Sequence, residues 1–414
     1  MIEVEKKTAK EVAIIGGGAA GFFAAINCKE NFPHYNVVIY EKSHQVLSKV
    51  KVSGGGRCNV TNQNFEIRNL IKNYPRGAKT LKKLFIHFQP QDTIRWFASR
   101  GVQLIAEEDG RMFPNTNSSA TIVECFLKSC NELGISIKTG HAVEVIQKQE
   151  AKTVLTVKGD QIKCDFVIIT AGGGPKLSSY QWLSPLKLEI VEPVPSLFTF
   201  NLPSENTAEL MGVVAPQVEI KIQGEKLSSK GPLLFTHWGF SGPAVLKLSA
   251  LGARLLHTKS YHFKIQINWL DVASENEVRA ILSDHFTNNQ KKLISNANPF
   301  SNLTHRLWDY LLTRSEIDRG IIVRELSKKL LNKLVNTLYV DIYEVKGKTT
   351  FKEEFVTCGG IAISNINIPE MSLKSDPNIF FAGEILDIDG VTGGYNFQAA
   401  WTAGFMAAKL GQFL

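Results

Sequence analysis

The sequence has few of the features that mark membrane-spanning, disulfide-stapled or secreted chains. No stretch reaches the roughly 18 uninterrupted apolar residues that a membrane helix needs. The six cysteines form no CxxC pair, which argues against a disulfide framework and a zinc ribbon, and no metal site is expected. The first residues, MIEVEKKTAKE, alternate charges where a signal peptide would have an apolar stretch. We therefore expect a soluble, cytoplasmic protein with reduced thiols.

What is present is the composition of an ordinary globular protein. The chain has 414 residues, enough for two or three domains, with 44% apolar and 21% charged residues. The net charge of +8 favours an anionic partner, yet no basic block is longer than two neighbours. We attribute most of the charge to a solvated surface and expect a small-molecule substrate, with no nucleic-acid or membrane partner.

The N-terminal segments alternate between strand and helix. EVAIIGGG (Glu11–Gly18) is an apolar run that ends in glycines, AAGFFAAINCKEN follows with helix formers, and NVVIYEK closes a βαβ unit. Parallel strands are therefore predicted. Helical spacing recurs over residues 79–100 and 118–133, and HAVEVIQ, TVLTVKG and CDFVIIT are predicted strands.

The middle of the chain has a different character. From about Val191 strand-like segments follow one another without helices, residues 273–338 are helical, and LYVDIYEV and TTFKEEFVT return to strand. The tail repeats the first domain's order of strand, glycine-rich loop and small-residue helix. We predict a discontinuous α/β domain with an insertion, divided as 1–190, 191–272, 273–337, 338–356 and 357–414.

A glycine turn predicts a dinucleotide site. Gly16, Gly18 and Gly21 stand in GxGxxG spacing between strand and helix, where they permit a tight turn and a close approach to a pyrophosphate. Glu41, 20 residues beyond Gly21, ends the second strand and is placed to accept from a ribose hydroxyl. NAD and FAD share this pattern.

Two further glycine-rich segments favour a flavin. KVSGGGRCNVTN sets three glycines beside Arg57 and Asn59, which suits a phosphate or a flavin edge, with a mobile linker as the alternative. In the tail, a strand leads to Gly383 and Glu384, and Gly393 and Gly394 open a helix near Asn396. The N–H groups of that helix could stabilise negative charge on a reduced flavin ring.

The strings IIGGGAAG, KVSGGGRCNVTN, LFTHWGFSGPAVL and FAGEILDIDGVTGGYNFQAAWTAG span nearly the whole chain. On these strings the sequence resembles the BaiN-like family of bacterial NAD(P)/FAD-dependent oxidoreductases, the aminoacetone oxidase-like and dehydro-bile-acid reductase-like flavoproteins. The resemblance implies an α/β fold: a Rossmann-like FAD-binding domain formed by both chain ends, with an inserted barrel-like β domain and a small helical domain. It also implies non-covalent FAD. Cys358 departs from the family wording, which has a small residue such as alanine there.

The resemblance also implies the positions that contact FAD. The ADP half would meet the glycine turn and the end of the second strand: Gly16, Gly18, Ala19, Ala20, Gly21, Glu41 and Lys42. Adenine would meet the backbone of Val143, and Ala171 and Gly172 would pass close to the cofactor. The flavin half would meet Gly56, Arg57, Cys58, Asn59, Gly383, Glu384, Gly394, Asn396 and Phe397.

The reacting partners are less marked in the sequence. AGGGPKLS lacks the final glycine of a second dinucleotide turn and has Pro175 where a helix should continue, so NAD(P)H is expected to dock transiently. His237, in THWGFSGP, is the candidate acid or base, with a hydrogen-bonded turn histidine as the alternative. Cys125 and Cys130 are expected to be packed thiols. A structural role is favoured over a thiolate at Cys58.

Three hypotheses follow. The leading one is an FAD-dependent oxidoreductase that is reduced by NAD(P)H and passes hydride to a small-molecule acceptor. The second is an FAD-dependent RNA-modifying enzyme, motivated by the +8 charge and a distant likeness to tRNA-modifying flavoproteins. The third is a non-enzymatic flavin-bound sensor or interaction protein.

Overall fold

A computed structural model describes residues 9–205, 207–349 and 356–412. Most of the predicted strand TTFKEEFVT and most of the charged N-terminal segment lie outside these residues. The described chain forms two compact units, one from residues 9–195 and 356–412 and the other from 196–349. The first unit is therefore built from both ends of the sequence.

The strands are short, and their bounds in chain order are β1 (Glu11–Ile15), β2 (Asn36–Tyr40), β3 (Thr61–Asn62), β4 (Leu104–Ala106), β5 (Arg111–Pro114), β6 (Ser136–Lys138), β7 (Val143–Gln149), β8 (Lys152–Val157), β9 (Asp160–Cys164), β10 (Phe166–Ile169), β11 (Ile190–Ser196), β12 (Thr199–Asn201), β13 (Val214–Ile222), β14 (Ser228–Thr236), β15 (Gly239–Ser241), β16 (His262–Asn268), β17 (Asp341–Lys346), β18 (Lys348–Thr349), β19 (Val356–Ile361), β20 (Ile366–Asn367), β21 (Ser372–Leu373) and β22 (Asp376–Phe381).

The α-helices are α1 (Ala19–Asn31), α2 (Ser48–Gly56), α3 (Ile67–Leu70), α4 (Ala78–Leu84), α5 (Pro90–Ala98), α6 (Ser119–Glu132), α7 (Pro243–Leu251), α8 (Ala253–Thr258), α9 (Glu275–Asn288), α10 (His305–Arg314), α11 (Lys328–Tyr339) and α12 (Tyr395–Ala407). A 3-10 turn, Ile71–Asn73, follows α3 directly.

The first unit is organised around a seven-stranded sheet with the order β20-β21-β22-β10-β1-β2-β6. Strands β22, β10, β1, β2 and β6 are parallel, whereas the β20–β21 and β21–β22 pairs at one edge are antiparallel. Because β1, β2 and β10 are almost wholly buried, they are continuous apolar runs, as parallel strands covered on both faces must be. The predicted Rossmann-like domain formed by both chain ends is confirmed, since β22 of the tail pairs directly with β10.

Aromatic side chains fill the space between helices on one side of this sheet. Phe23 of α1 lies 5.3 Å from Trp401 of α12, and Trp401 lies 5.6 Å from Phe126 of α6, between ring centroids. Phe97 of α5 completes the cluster in an edge-on contact with Trp401. Rings in such tilted contacts fix the orientation of α12, which the tail contributes, against the N-terminal helices.

The predicted helix over residues 79–100 is wrong in its continuity. The chain forms α4 and α5 with a break at residues 85–89. Pro90 occupies the first turn of α5, where its missing N–H costs nothing, whereas a continuous helix would place it in the interior. Gln89 and Asp92 close a reciprocal capping box that begins the second helix.

The inserted unit is the predicted barrel-like β domain. Its seven-stranded antiparallel sheet has the order β17-β16-β13-β14-β15-β12-β18, and the two edge strands are consecutive in sequence through Gly347. Helices α9, α10 and α11 bury their apolar faces in the same hydrophobic core as this sheet. The helical segment predicted at 273–337 therefore shares its unit with the strands and does not fold around a core of its own.

A buried polar network links the helices of the inserted unit to its sheet. Asp341 accepts hydrogen bonds from the Trp269 indole at 3.0 Å and the Tyr343 hydroxyl at 2.6 Å, and pairs with Arg314 at 2.8 Å. These partners satisfy the carboxylate, which burial would otherwise make costly.

No helix in the described parts of the chain is both long and apolar enough to cross a membrane.

Candidate FAD site

The glycines of the turn after β1 have two roles: two of them allow close packing, and one faces open space. A side chain at Gly16, which has φ +111, would approach the Thr170 carbonyl oxygen to 2.5 Å, and one at Gly21 would overlap the Gly16 carbonyl oxygen. These two glycines let α1 and β10 approach closely. An added Cβ at Gly18 would meet no atom within 4 Å, so this position faces open space at the start of α1. The turn thus leaves room for a ligand where helix N–H groups begin.

Glu41 lies across the same turn. Its carboxylate accepts from the Gly17 N–H at 2.7 Å and from the Ser43 N–H and hydroxyl, each at 2.8 Å. The end of β2 therefore places an acidic group beside the glycine turn, as the sequence spacing predicts. Among the neighbouring predicted residues, Lys42 is exposed, Ala19 is half-buried and Ala20 is buried.

The remaining predicted positions of the ADP half lie on neighbouring elements. Ala171 and Gly172 come after Thr170, the residue that follows β10, whose hydroxyl donates to the carbonyls of Ile15 and Gly16 at 3.0 Å. Gly172 has φ +75 and an open Cβ position. Val143 is the first residue of β7 and is half-buried.

The segment around β3 is fastened to the tail. The Asn62 amide donates to the Gly393 carbonyl at 3.0 Å. With its amide nitrogen toward the Thr61 carbonyl at 3.0 Å, Asn59 accepts from the Gly394 N–H at 2.9 Å. We call these contacts the glycine-loop clamp. It holds the loop that begins α12 in place.

Two further contacts continue this attachment into the interior. The Thr61 hydroxyl donates to the Gln398 side chain at 2.5 Å, and the Trp401 indole donates to the Val60 carbonyl at 2.9 Å. All four residues are buried. The segment around β3 is therefore joined to α12 by hydrogen bonds from Thr61 and to Val60.

Gly54–Gly56 and Cys58 have a left-handed backbone at the end of α2, whereas Arg57 between them is right-handed. Gly54, Gly55 and Gly56 have φ of +60, +69 and +84, and Cys58 has φ +61. Added Cβ atoms at Gly55 and Gly56 would meet nothing within 4 Å, so this backbone is open to approach. Arg57 pairs with Glu107 at 2.6 Å and stacks over the Phe113 ring at 4.0 Å.

The thiol of Cys58 is fully buried. Burial raises its pKa to about 12, although a hydrogen bond with Ser53 lowers it somewhat. The neighbouring Arg57 does not produce a thiolate, which favours the structural role. Cys125 and Cys130 are likewise buried and free, as expected for packed thiols, and burial also raises their pKa values.

Glu384 is held from two sides at the end of β22. Its carboxylate accepts from the Thr357 N–H at 2.9 Å and pairs with Lys49 at 2.6 Å. The Thr357 hydroxyl beside it is buried and has no hydrogen-bond partner among the described residues. A hydroxyl-bearing ligand at this point would satisfy it.

The loop before α12 is stabilised by its own contacts. Asp389, which is fully buried, forms a two-point ion pair with Arg76. The Asn396 side chain bonds both the N–H and the carbonyl of Gly390, at 2.8 and 3.0 Å. Phe397 stacks on Trp401 at 5.6 Å. The side chains of Asn396 and Asp389 are thus engaged in shaping the loop, and backbone groups are left to face a ligand.

His237 belongs to the inserted unit, in the turn between β14 and β15. It is exposed, and its ring lies 3.9 Å from that of Trp238. Its acid–base role stays a prediction. No group of three or more metal-ligating side chains occurs in the described residues.

Several residues of the site were missed in the sequence. Lys49 and Thr357 contact Glu384, and Arg76 pairs with Asp389 in the loop before α12, but these three belong to none of the strings that carry the family resemblance. Gln398, which accepts from Thr61, was also missed. Asn62 lies inside the string KVSGGGRCNVTN and Gln398 inside FAGEILDIDGVTGGYNFQAAWTAG, and these strings carried the available signal.

The residues present fit FAD. The open Cβ positions of Gly18 and Gly172, the acidic end of β2, the orphaned Thr357 hydroxyl and the N-terminal end of α12 all belong to one unit. Gly18 and Glu41 would hold the ADP half, and Glu384 with the start of α12 would hold the flavin half. FAD would supply hydride-transfer chemistry when bound.

The fold and this site define an FAD-dependent oxidoreductase of the Rossmann class. The family model for the HI0933-like protein Rossmann domain matches residues 10–410, and the chain belongs to that family. It is 24% identical over 408 residues to the 3-dehydro-bile acid delta(4,6)-reductase of Clostridium scindens, covering 96% of this chain and 98% of that protein.

The chain is also similar to a ribosomal RNA-modifying enzyme and to solved flavoenzyme structures. The chain is 26% identical over 414 residues to the ribosomal RNA dihydrouridine synthase of Haemophilus influenzae, covering 96% and 97% of the two proteins. Among solved structures, the 3-ketosteroid delta1-dehydrogenase of Sterolibacterium denitrificans matches with a TM-score of 0.48 at 11% identity, covering 97% of this chain and 99% of that chain.

Proposed function

We propose that this protein is an NAD(P)H-driven, FAD-dependent reductase of a carbon–carbon double bond conjugated to a carbonyl group. The observation that carries the proposal is chemical. The names of two relatives, each matched over 96% of this chain, describe reduction of such a bond: an unsaturated 3-oxo steroid in one and the uracil ring in the other. A small-molecule acceptor is the leading candidate.

The site supports this chemistry through the start of α12. The N–H groups of Tyr395, Asn396 and Phe397 belong to the first helical turn and have no acceptor within the helix. Together with the helix dipole they favour negative charge in front of them. The glycine-loop clamp fixes this end, so the stabilising groups need not reorganise as charge develops.

The described chain contains no second glycine turn that would form a dedicated binding site for NAD(P)H. Residues 172–176 have no regular secondary structure, and a 3-10 helix, Leu177–Leu186, follows. The Gly174 N–H donates to the Tyr180 hydroxyl at 3.1 Å, so this turn is closed by a side chain. NAD(P)H would therefore dock transiently.

Anaerobic stopped-flow absorbance tests the first half of the proposal. The FAD-loaded protein is mixed separately with NADH and NADPH, and the oxidised flavin band is followed. Rapid bleaching by one of them identifies the donor, and the reduced protein is then mixed with a 3-oxo-4-ene steroid or its saturated counterpart. Reoxidation by the unsaturated compound alone is expected. A flavin that neither nucleotide bleaches would contradict the proposal and favour the sensor hypothesis.

A second candidate acceptor is a uridine within RNA. The observation that favours it is an exposed group of unpaired basic side chains on the segment that packs against the loop before α12. The test is mass spectrometry of nucleosides from RNA incubated with the protein and its nicotinamide donor. A dihydrouridine product would establish this acceptor and overturn the expectation of no nucleic-acid partner.

A further inference from the structure

Residues 67–91 form a segment without acidic side chains. They contain six Lys or Arg residues and no Asp or Glu, so this short stretch holds most of the net charge of +8. Arg76 is paired with Asp389. The other five are Arg68, Lys72, Lys79, Lys82 and Lys83, all exposed and without an ion pair among the described residues. We call these five residues the basic face.

Helical register gathers these side chains. Arg68 and Lys72 are four residues apart on the continuous turns of Ile67–Asn73, so they project from the same side. Lys79 is likewise three and four residues from Lys82 and Lys83 on α4. The opposite sides of both elements are buried through Leu70, Leu81 and Leu84. Like charges held this close repel one another, which an anionic partner would relieve.

The segment is anchored beside the predicted flavin end of the site. The Tyr74 hydroxyl donates to the Tyr395 carbonyl at 2.8 Å, and the Val391 N–H donates to the Asn73 carbonyl at 2.9 Å. The side chain of Ile388 packs against Gly77 so closely that an added Cβ would lie 2.6 Å away. The basic face therefore has a fixed position relative to the loop that begins α12.

An exposed aromatic ring precedes the basic face. Phe65 is 36% exposed, and its neighbour Asn64 hydrogen-bonds Tyr395 of the same loop. An exposed ring together with a group of exposed cations is the combination that proteins use to bind single-stranded nucleic acids, because bases stack on the ring while phosphates contact the charges.

We propose that the basic face and Phe65 bind single-stranded RNA and bring a nucleotide to the flavin end of the site. This inference rests on the second candidate acceptor and gives it a location. Arg68, Lys72, Lys79, Lys82 and Lys83 contact phosphates, and Phe65 stacks on a base. Phosphate contacts make binding dependent on salt, whereas the stacking contact contributes without salt dependence.

Fluorescence anisotropy of a labelled 20-nucleotide oligouridine with the FAD-loaded protein tests the proposal without any reductant. The variant Lys79→Gln/Lys82→Gln/Lys83→Gln removes three charges. It is expected to weaken binding about tenfold or more at low salt and to reduce the slope of log affinity against log salt by about 2, at roughly 0.7 per phosphate. Phe65→Ala is expected to weaken binding about tenfold and to leave the slope unchanged.

A matched control removes three exposed lysines elsewhere in the same unit, in Lys158→Gln/Lys163→Gln/Lys187→Gln. It is expected to bind like the wild type. Equal weakening by both triple variants would overturn the basic face, since only net charge would then matter. Binding to phosphatidylglycerol vesicles with no binding to oligouridine would overturn the RNA assignment.

The two proposals fail in different ways. RNA binding that needs the basic face but yields no dihydrouridine supports this surface and removes the uridine acceptor. Dihydrouridine formed equally by the wild type and the triple variant at Lys79, Lys82 and Lys83 removes this surface and keeps the acceptor. Flavin content and thermal midpoint, measured for each variant, show that the chain is folded.

Discussion

Asn62 donates its side-chain amide to the carbonyl oxygen of Gly393 at 3.0 Å, joining residues that are 331 positions apart. Gly393 and Gly394 have no side chains that could fix the loop before α12, so this bond from Asn62 does so. Gly393 has φ +126. The oxygen of the same buried amide accepts from the Asn64 N–H at 3.1 Å. One side chain thus fixes both the segment after β3 and the start of α12.

Asn62→Ala should weaken FAD binding and lower the free energy of unfolding by about 1–3 kcal/mol, because a buried carbonyl and an N–H lose their partner. Urea unfolding and titration of the apoprotein with FAD measure the two effects. Asn69→Ala removes an exposed amide that bonds Glu66 and serves as the control. An unchanged FAD affinity in Asn62→Ala would show that the loop holds its shape without the bond.

Substitutions at two glycines of the turn after β1 should have different effects, one on FAD binding and the other on stability. Gly18→Val should fold with little loss of stability, because φ is −92 at this position and its Cβ direction is open, yet it should no longer bind FAD. Gly21→Ala should destabilise the fold, because its methyl group would overlap the Gly16 carbonyl. Thermal unfolding of the apoproteins, followed by FAD titration, separates the two. Tight FAD binding by Gly18→Val would contradict the assigned pyrophosphate position.

The native protein should expose essentially none of its six thiols to a thiol-specific reagent. All are buried, and burial raises the pKa of Cys28, Cys58, Cys130 and Cys164 to about 12. The reactive thiolate is therefore scarce at pH 8, and its fraction rises toward pH 12. Titration with Ellman's reagent should report all six thiols only in denaturant. A fast native equivalent lost in Cys58→Ala would restore a redox role for Cys58.

Arg76→Met should lower the free energy of unfolding by about 3–5 kcal/mol, since it leaves the buried Asp389 carboxylate without its charged partner. The double variant Arg76→Met/Asp389→Leu should recover part of this loss because no uncompensated charge remains. Chemical denaturation of both variants measures the difference. Equal stability of the single and double variants would show that the Asp389 carboxylate is satisfied without Arg76.

The sequence predicted the parts of the structure that are encoded locally. The buried run Val12–Ile15, the glycine spacing and the acidic end of β2 lie within about 30 residues, so one pattern describes the whole βαβ unit. Strand β6 was missed because Ser136–Lys138 is too short to show a period. The helix over 79–100 was wrong because apolar spacing continues through Pro90, which begins a new helix.

The glycine-loop clamp could not be predicted in the same way. Asn59 and Asn62 are ordinary loop residues in sequence, and their partners at Gly393 and Gly394 become visible only once the tail strand β22 is placed beside β10. Side-chain contacts between such distant residues depend on the completed sheet, and a local sequence pattern carries no information about them.

Because β22 pairs with β10, the first unit cannot be completed until the tail has been synthesised. Ribosomes add about 5–20 residues per second, so Asn62 emerges about 17–66 seconds before Gly393. From the synthesis of β10 until the tail emerges, β10 has an unpaired edge and the aromatic rings of α1 lack Trp401, and the whole inserted unit is synthesised before β22. The nascent chain therefore carries an open sheet edge and uncovered rings for much of its translation, which makes it a natural client for chaperones that shield such surfaces.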